Sequence, residues 1–169
     1  MKQFTSALVL GATALIASSS SFAGEVIPCP DISQAKQISE CPAEDDVKKL
    51  FRKACGFEWN AKPRGLGACN SYTKFKKAKY TALWESNDGE FMSYATCSIP
   101  ASEIKSAKPM SVTVSQKNGL YKVACNYHGD ITFTMRTRSV CSIPGVQSPL
   151  AVIKSNCESD ASQCRVECK

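Results

Sequence analysis

Histidine is almost missing from this chain, with His128 the single example among 169 residues. One imidazole rules out the two-histidine mechanism of ribonucleases. It also argues against zinc, because zinc sites use paired cysteine or histidine ligands at short spacing. No Cys-x-x-Cys occurs, so the spacing that activates the thiol of redox enzymes is missing as well. We therefore expect no metal and no cofactor.

Other catalytic signatures are also missing. The chain has neither a Gly-x-Ser-x-Gly elbow nor a glycine-rich phosphate loop followed by lysine. One catalytic arrangement stays open, a small secreted hydrolase in which Asp130 orients His128 as the acid/base group. Because turns select polar residues, the simpler interpretation is that both belong to a Tyr-His-Gly-Asp turn. A non-enzymatic protein is favoured.

The N-terminal segment is the only long apolar run, and it has the three parts of a secretory signal. Lys2 supplies the positive start, and residues 4–17 are apolar and uncharged. Ser21 and Ala23 are the small residues that signal peptidase needs at positions −3 and −1. The run is shorter than the about 20 residues that cross a bilayer. We predict a signal peptide over 1–23, cleavage after Ala23, and a secreted or periplasmic mature chain without a transmembrane segment.

Cysteine, in contrast, is abundant: the chain has ten, all beyond residue 23. An even number in an exported chain is typical of a disulfide framework, and we expect five structural disulfides. Spacing alone leaves about 945 pairings open. The region from about 142 to 169 is a cysteine-rich tail that would fray unless pinned, so at least one of its cysteines is expected to bridge back to the body. The ten are Cys29, Cys41, Cys55, Cys69, Cys97, Cys125, Cys141, Cys157, Cys164 and Cys168.

Hydrophobic periodicity predicts helices in the first part of the mature chain. A short helix is predicted over 31–38, where apolar residues recur every three positions. A second helix is predicted from residue 44 to Gly56, with acidic residues in its first turn and basic residues near its end.

Further along, the period changes to two. From Phe75 onward, residues 72–140 are typical of about five antiparallel strands, separated by turns such as 87–89 and 118–119. Helices followed by a strand meander predict an α+β fold. We expect one disulfide-crosslinked domain over 24–169, with N-terminal helices packed on one face of an antiparallel sheet of about five strands.

Three short motifs stand out beyond the cysteine pattern: Cys29-Pro30-Asp31-Ile32, Phe75-x-x-Ala78-x-Tyr80 and Cys125-Asn126-Tyr127. Together they resemble a group of small, exported, uncharacterised gammaproteobacterial proteins, including those of Legionella-type pathogens. This chain departs from the group in its larger number of cysteines and in a second Cys-Pro pair. The resemblance implies an exported protein acting at the bacterium–host boundary, and it implies no catalytic residue.

The strongest binding candidate is a lysine cluster made of Lys74, Lys76, Lys77 and Lys79. On the predicted strand, Lys77 and Lys79 would share one face. Such a patch attracts phosphate, sulfated glycan or an anionic membrane surface, although lysines also protect an edge strand from aggregation. Trp59 is a further candidate as a ligand platform, while core packing is the commoner role of a tryptophan.

These observations predict an exported, non-enzymatic binding protein with a role in host interaction or virulence. Its partner would be a protein, a glycan or an anionic surface outside the cytoplasm, and not a nucleic acid. One alternative is a small secreted enzyme inhibitor that presents the loop 57–71, since a crosslinked scaffold preorganises its loops. The other alternative is the hydrolase that uses His128.

Overall fold

The structure is a computed structural model that describes residues 24–56, 67–146 and 152–169. It is an α+β fold in which the described strands form two antiparallel sheets, and the predicted class is confirmed at that level. The strands are β1 Glu25–Pro28, β2 Lys36–Gln37, β3 Thr81–Glu85, β4 Met92–Thr96, β5 Pro109–Lys117, β6 Leu120–Tyr127, β7 Ile131–Thr137, β8 Cys141–Ser142, β9 Val152–Asn156 and β10 Arg165–Cys168; the helices are α1 Glu44–Cys55, α2 Tyr72–Lys79 and α3 Ala101–Ser106.

The larger sheet has seven strands in the order β2-β3-β4-β7-β6-β5-β9. Its tightest connection is the Asn118-Gly119 turn between β5 and β6, in which both residues have positive φ, 52° and 74°. Such angles suit a two-residue hairpin and favour asparagine and glycine. The turn therefore sets the register, in which Lys117 lies opposite Leu120 and Ser115 lies opposite Lys122.

The core lies on one face of this sheet, which we call the inner face. Alternation along the strands sends Phe133, Val123 and Trp84 to this face, where each is at most 4% exposed. The smaller sheet, β1-β10-β8, contributes Val166 and Cys168 to the same cluster. The inner face is therefore covered by the smaller sheet, together with α3 and a 3-10 turn over Ile32–Gln34.

Helix α1 confirms the predicted second helix. Its first turn carries three acidic residues and its last turn two basic residues, as the helix dipole favours. Gly56 ends it in the left-handed conformation, with φ 66°. The buried face of α1 does not include every apolar side chain of the helix. Val47 and Cys55 are buried, whereas Leu50 is 45% exposed.

Helix α2 is the main correction, because the sequence predicted a strand beginning at Phe75. The period-two pattern there was wrong for residues 72–79, which form a helix that buries Phe75. The residues that pack are Tyr72 and Phe75, at helical spacing, and both rings contact Phe51 of α1 edge-on at centroid distances of 5.5 and 5.2 Å. Aromatic contacts with α1 therefore outweigh the alternating pattern of the side chains.

The arrangement of helices and strands also differs from the prediction. The larger sheet has seven strands rather than about five. Helices α1 and α2 share a small cluster of their own around Val47, Cys55 and Phe75, and the main core includes no residue from either helix. Residues 31–38 hold only a 3-10 turn and β2, because the Asp31 carboxylate accepts the Ser33 amide and caps a single turn.

All ten cysteines lie in the described ranges and form the five expected disulfides. The bond from Cys168 to Cys141 confirms that the C-terminal tail bridges back to the body. The pairs are nested without crossing: Cys29–Cys125 encloses Cys41–Cys97, which encloses Cys55–Cys69, and Cys141–Cys168 encloses Cys157–Cys164. Five disulfides fit an oxidising compartment. Within the described part of the chain, none of the helices has the length and hydrophobicity required to traverse a bilayer.

The N-terminal segment is also held by a partly buried hydrogen bond. The Tyr127 hydroxyl, on the inner face of β6, donates to the Pro30 carbonyl at 2.6 Å. Burial, with a smaller contribution from the Asp31 charge, raises the pKa of Tyr127 above its ordinary value. The hydroxyl therefore stays protonated and serves as a permanent donor.

Candidate binding surface

The opposite face of the seven-stranded sheet reaches solvent, and we call it the open face. Because side chains alternate along a strand, the partners of the core residues on β4, β7, β6, β5 and β9 all point to this side. Tyr94 is 75% exposed, Val152 55% and Met92 46%. The open face consists of Met92, Tyr94, Thr134, Arg136, Ala124, Lys122, Thr113, Ser115, Lys154 and Val152, which neighbour one another in the strand register.

A hydrogen-bonded row of polar side chains borders the open face. The Asn126 amide nitrogen donates to the Ser111 hydroxyl at 3.2 Å and approaches that of Thr113 at 3.5 Å. The Thr132 hydroxyl donates to the Asn126 carbonyl at 3.0 Å. These hydrogen bonds link side chains of three neighbouring strands, β5, β6 and β7, and restrict their rotamers. The network therefore stiffens this part of the surface.

Cations collect at one end of the open face, beside the β5–β6 turn. They surround a shallow cavity of about 490 Å³, which we call the hairpin pocket. No carboxylate lines it, and no ion pair of the described residues involves its cations. The lining residues are Lys117, Lys122, Arg136, Arg138, Ser115, Asn118 and Leu120.

The lysine cluster predicted from the sequence lies elsewhere, on α2. Because 72–79 is helical, the expectation that Lys77 and Lys79 share one face of a strand was wrong. Lys76 donates to Glu44 of α1 at 2.9 Å and lies 5.0 Å from the Tyr80 ring centroid. The hydrogen bond with Glu44 raises the pKa of Lys76 above its ordinary value.

Ion pairing divides the α2 lysines into two groups. Lys77 pairs with Asp130 at 3.1 Å, across a groove of about 440 Å³ that also contains Tyr94 and Thr96. Lys74 and Lys79 are exposed, and neither takes part in an ion pair of the described residues. The lysines near the end of α2 also suit the helix dipole. Half of the predicted patch is thus neutralised within the protein.

The other predicted binding residue, Trp59, lies outside the described residues. Most of the predicted presenting loop, 57–71, lies outside them too.

His128 and Asp130 lie in the turn between β6 and β7, as the sequence predicted. Gly129 and Asp130 both have positive φ there, which bends the chain. The His128 side chain is 53% exposed and approaches Glu158 at 3.8 Å, while Asp130, 84% exposed, pairs with Lys77. In the described ranges, no hydrogen bond or ion pair joins His128 to Asp130. Each side chain has a different partner, and the geometry that would orient a catalytic imidazole is not assembled.

An acidic cleft of about 450 Å³ lies between β1 and the β3–β4 turn, lined by Glu25, Asp31, Asp88 and Glu90. Two of these carboxylates already have local donors. The Ser33 amide lowers the pKa of Asp31, and the hydroxyl of Ser86 lowers that of Asp88. In the described ranges, no group of three or more metal-ligating side chains is arranged around a metal site.

The hairpin pocket was missed from the sequence because its cations are scattered over residues 117–138. One signal was present, since the Asn118-Gly119 turn fixes the register of β5 and β6 and thereby places Lys117 near Lys122. The contribution of Arg136 and Arg138 depended on the pairing of β7 with β6, which follows a turn of less regular type.

No family model, no curated protein and no solved structure matches this chain. The resemblance to exported Legionella-type proteins therefore stays a prediction.

Proposed function

We propose that this chain is an exported, non-enzymatic binding protein that recognises an anionic surface through the open face. One observation carries the proposal: exposed apolar side chains share one face of the sheet with cations that form no ion pair among the described residues. Tyr94, Met92 and Val152 provide the apolar contact area. Lys122 and Arg136 provide positive charge within the same face.

The chemistry of this face suits a partner that is broad and negatively charged. Tyr94 and Met92 lie two residues apart on the open side of β4, and exposed apolar side chains that lie close together mark interaction sites, whereas isolated ones do not. Cations that form no ion pair with the described carboxylates attract anions over about a Debye length, roughly 8 Å at physiological salt. The formal net charge, +6 for the full chain and +5 once Lys2 is removed with the signal peptide, acts in the same direction.

Rigidity supports binding rather than catalysis. The Cys29–Cys125 disulfide on β6 and the Asn126 hydrogen-bond network restrain the sheet that carries the open face, so little conformational entropy is lost when a partner binds. The exposed and separately paired His128 and Asp130 do not favour the hydrolase. The inhibitor alternative and the role at the bacterium–host boundary stay predictions.

Sedimentation with lipid vesicles tests the proposal. The mature protein should bind vesicles that contain phosphatidylglycerol, and it should bind neutral phosphatidylcholine vesicles at least about tenfold more weakly, because each surface cation contributes about 1 kcal/mol near an anionic membrane. Binding should weaken steeply between 50 and 500 mM salt. Met92→Ser should reduce binding, while Leu50→Ser, an equally exposed apolar site on α1, should not. Equal binding to both vesicle types, or none to either, would contradict the proposal.

Export is tested separately by fractionating the native cells and measuring the intact mass with thiol blocking. The proposal expects a chain that starts at Gly24, carries no free thiol and is recovered outside the cytoplasm. Recovery from the cytoplasm with reduced cysteines would count against it.

A further inference from the structure

We propose that the hairpin pocket is a phosphate-binding site. The inference rests on the proposed function in one respect only: it names the anion that the open face would take. In this proposal the hairpin pocket binds the phosphate group itself, and the remainder of the open face contacts the molecule or surface that carries the phosphate.

The charge balance of the pocket is the first argument. Four cations line it, Lys117, Lys122, Arg136 and Arg138, and none of the described carboxylates does. None of these four cations takes part in an ion pair of the described residues, whereas half of the α2 lysines have acidic partners. A concave cluster of unneutralised cations is the arrangement that binds an oxyanion.

The strand register supplies the second argument. Lys122 of β6 lies directly opposite Arg136 of β7. Side chains directly opposite in an antiparallel pair have Cβ atoms about 4.5–5.5 Å apart, and like charges there destabilise the sheet. An anion that bridges the two side chains would turn this repulsion into two attractive contacts.

The donor chemistry of the pocket is the third argument. Two guanidinium groups, from Arg136 and Arg138, offer the planar fork that matches phosphate oxygens. The half-buried Ser115 hydroxyl, opposite Lys122, and the exposed Asn118 side chain add uncharged donors at the edge. A point-charge cluster of lysines alone, as on α2, lacks this fork.

Arg136 also borders a second cleft that contains Glu25 and Glu90. Neither carboxylate comes within 4.0 Å of the guanidinium, since no ion pair of Arg136 occurs among the described residues. Glu25 and Glu90 therefore do not neutralise Arg136. They would repel a phosphate in the second cleft, so they restrict phosphate binding to the hairpin pocket on the other side of Arg136.

The phosphate could be carried by a lipid headgroup or be free in solution. Both sources present the same oxygens to the pocket. A headgroup would bring the exposed Tyr94 and Met92 against the lipid surface, whereas a soluble phosphate would leave them in water.

Titration of the full mature protein with inorganic phosphate, followed by calorimetry, tests the site itself. The double variant Lys122→Gln/Arg136→Gln should bind phosphate at least about tenfold more weakly than the parent. The matched control is Lys74→Gln/Lys79→Gln, which removes the same two charges from exposed, unpaired positions on α2 and should change affinity less than twofold. Unfolding of the pocket variant without phosphate should show an equal or higher Tm, because like-charge repulsion is removed.

Vesicle binding by the same variants separates the sources. If the pocket variant no longer binds either phosphate or phosphatidylglycerol vesicles, the lipid headgroup is the source of the phosphate. If it no longer binds phosphate but still binds the vesicles, the site stands with soluble phosphate as its ligand. A parent that binds phosphate but no vesicle would overturn the proposed function and leave the pocket intact. Equal phosphate affinity of the parent and the pocket variant, or an equal loss in the α2 control, would overturn the inference.

Discussion

Removal of the Cys29–Cys125 disulfide should cost more stability than removal of any short-range one. The bond closes a loop of 96 residues. In the chain-entropy description, closing such a loop stabilises the fold by about 4.7 kcal/mol at 25 °C. The Cys41–Cys97 bond, with its separation of 56 residues, already crosslinks the chain inside that loop. The shortest covalent route from Cys29 to Cys125 then runs through about 40 residues, and the expected loss of stability falls to about 4 kcal/mol.

The matched control is the Cys157–Cys164 bond, which spans only 7 residues. Its removal should cost about 2.3 kcal/mol by the same description. Both of its cysteines are at most 1% exposed, so the packing lost on substitution by alanine is at least as large as at Cys29 and Cys125. The difference of about 1.5 kcal/mol between the two double variants therefore reports loop length.

Urea unfolding followed by circular dichroism measures both losses. The Cys29→Ala/Cys125→Ala variant should have the lower free energy of unfolding, and a typical stability of about 5–15 kcal/mol leaves it folded or marginal. If the Cys29→Ala/Cys125→Ala variant is already unfolded without urea, the result agrees with the expectation that it is the less stable of the two double variants. The reasoning is refuted if the Cys157→Ala/Cys164→Ala variant loses as much stability or more.

Three further substitutions test the packing argument. Tyr127→Phe should cost about 1 kcal/mol in urea unfolding, because a partly buried carbonyl of the N-terminal segment loses its donor; no loss would contradict this. Ser86→Ala should cost about 1–3 kcal/mol at neutral pH, because its hydroxyl accepts the buried Phe91 amide. Ser86 also lowers the pKa of Asp88, a contribution present above the unfolded value of 3.8 and lost as the pH falls through the lower folded value. The gap between the parent and Ser86→Ala should therefore narrow in acid, and a constant gap would exclude the Asp88 contribution. Gly119→Ala should lower stability by about 1 kcal/mol, since φ is +74° while nothing lies within 4 Å of an added Cβ; a larger loss would indicate a contact.

The parts of the fold that local chemistry dictates were predictable. Helix α1 has its charges and its terminal Gly56 within one short stretch, and the Asn118-Gly119 turn needs only two residues to define a hairpin. Both were found because their causes lie within a few positions of the chain. The disulfide count followed in the same way, whereas the pairing depended on the complete fold.

The failures came from contacts between distant segments. Phe75 was assigned to a strand because the competing interaction, its edge-on contact with Phe51, lies 24 positions earlier in the chain. The lysine cluster then appeared free, although Glu44 and Asp130 neutralise half of it. The hairpin pocket was missed because its arginines reach it only through the β6–β7 register.

The nested disulfides divide the chain into two covalently closed parts, 29–125 and 141–168, with no bond between them. Strand β7, Ile131–Thr137, lies in the stretch that joins them, at the centre of the larger sheet. One peptide bond broken there would leave two pieces that separate without any reductant, whereas a break inside either closed part leaves the fragments covalently linked. Resistance of this protein to fragmentation by proteolysis therefore depends on the stretch 126–140, which includes β7.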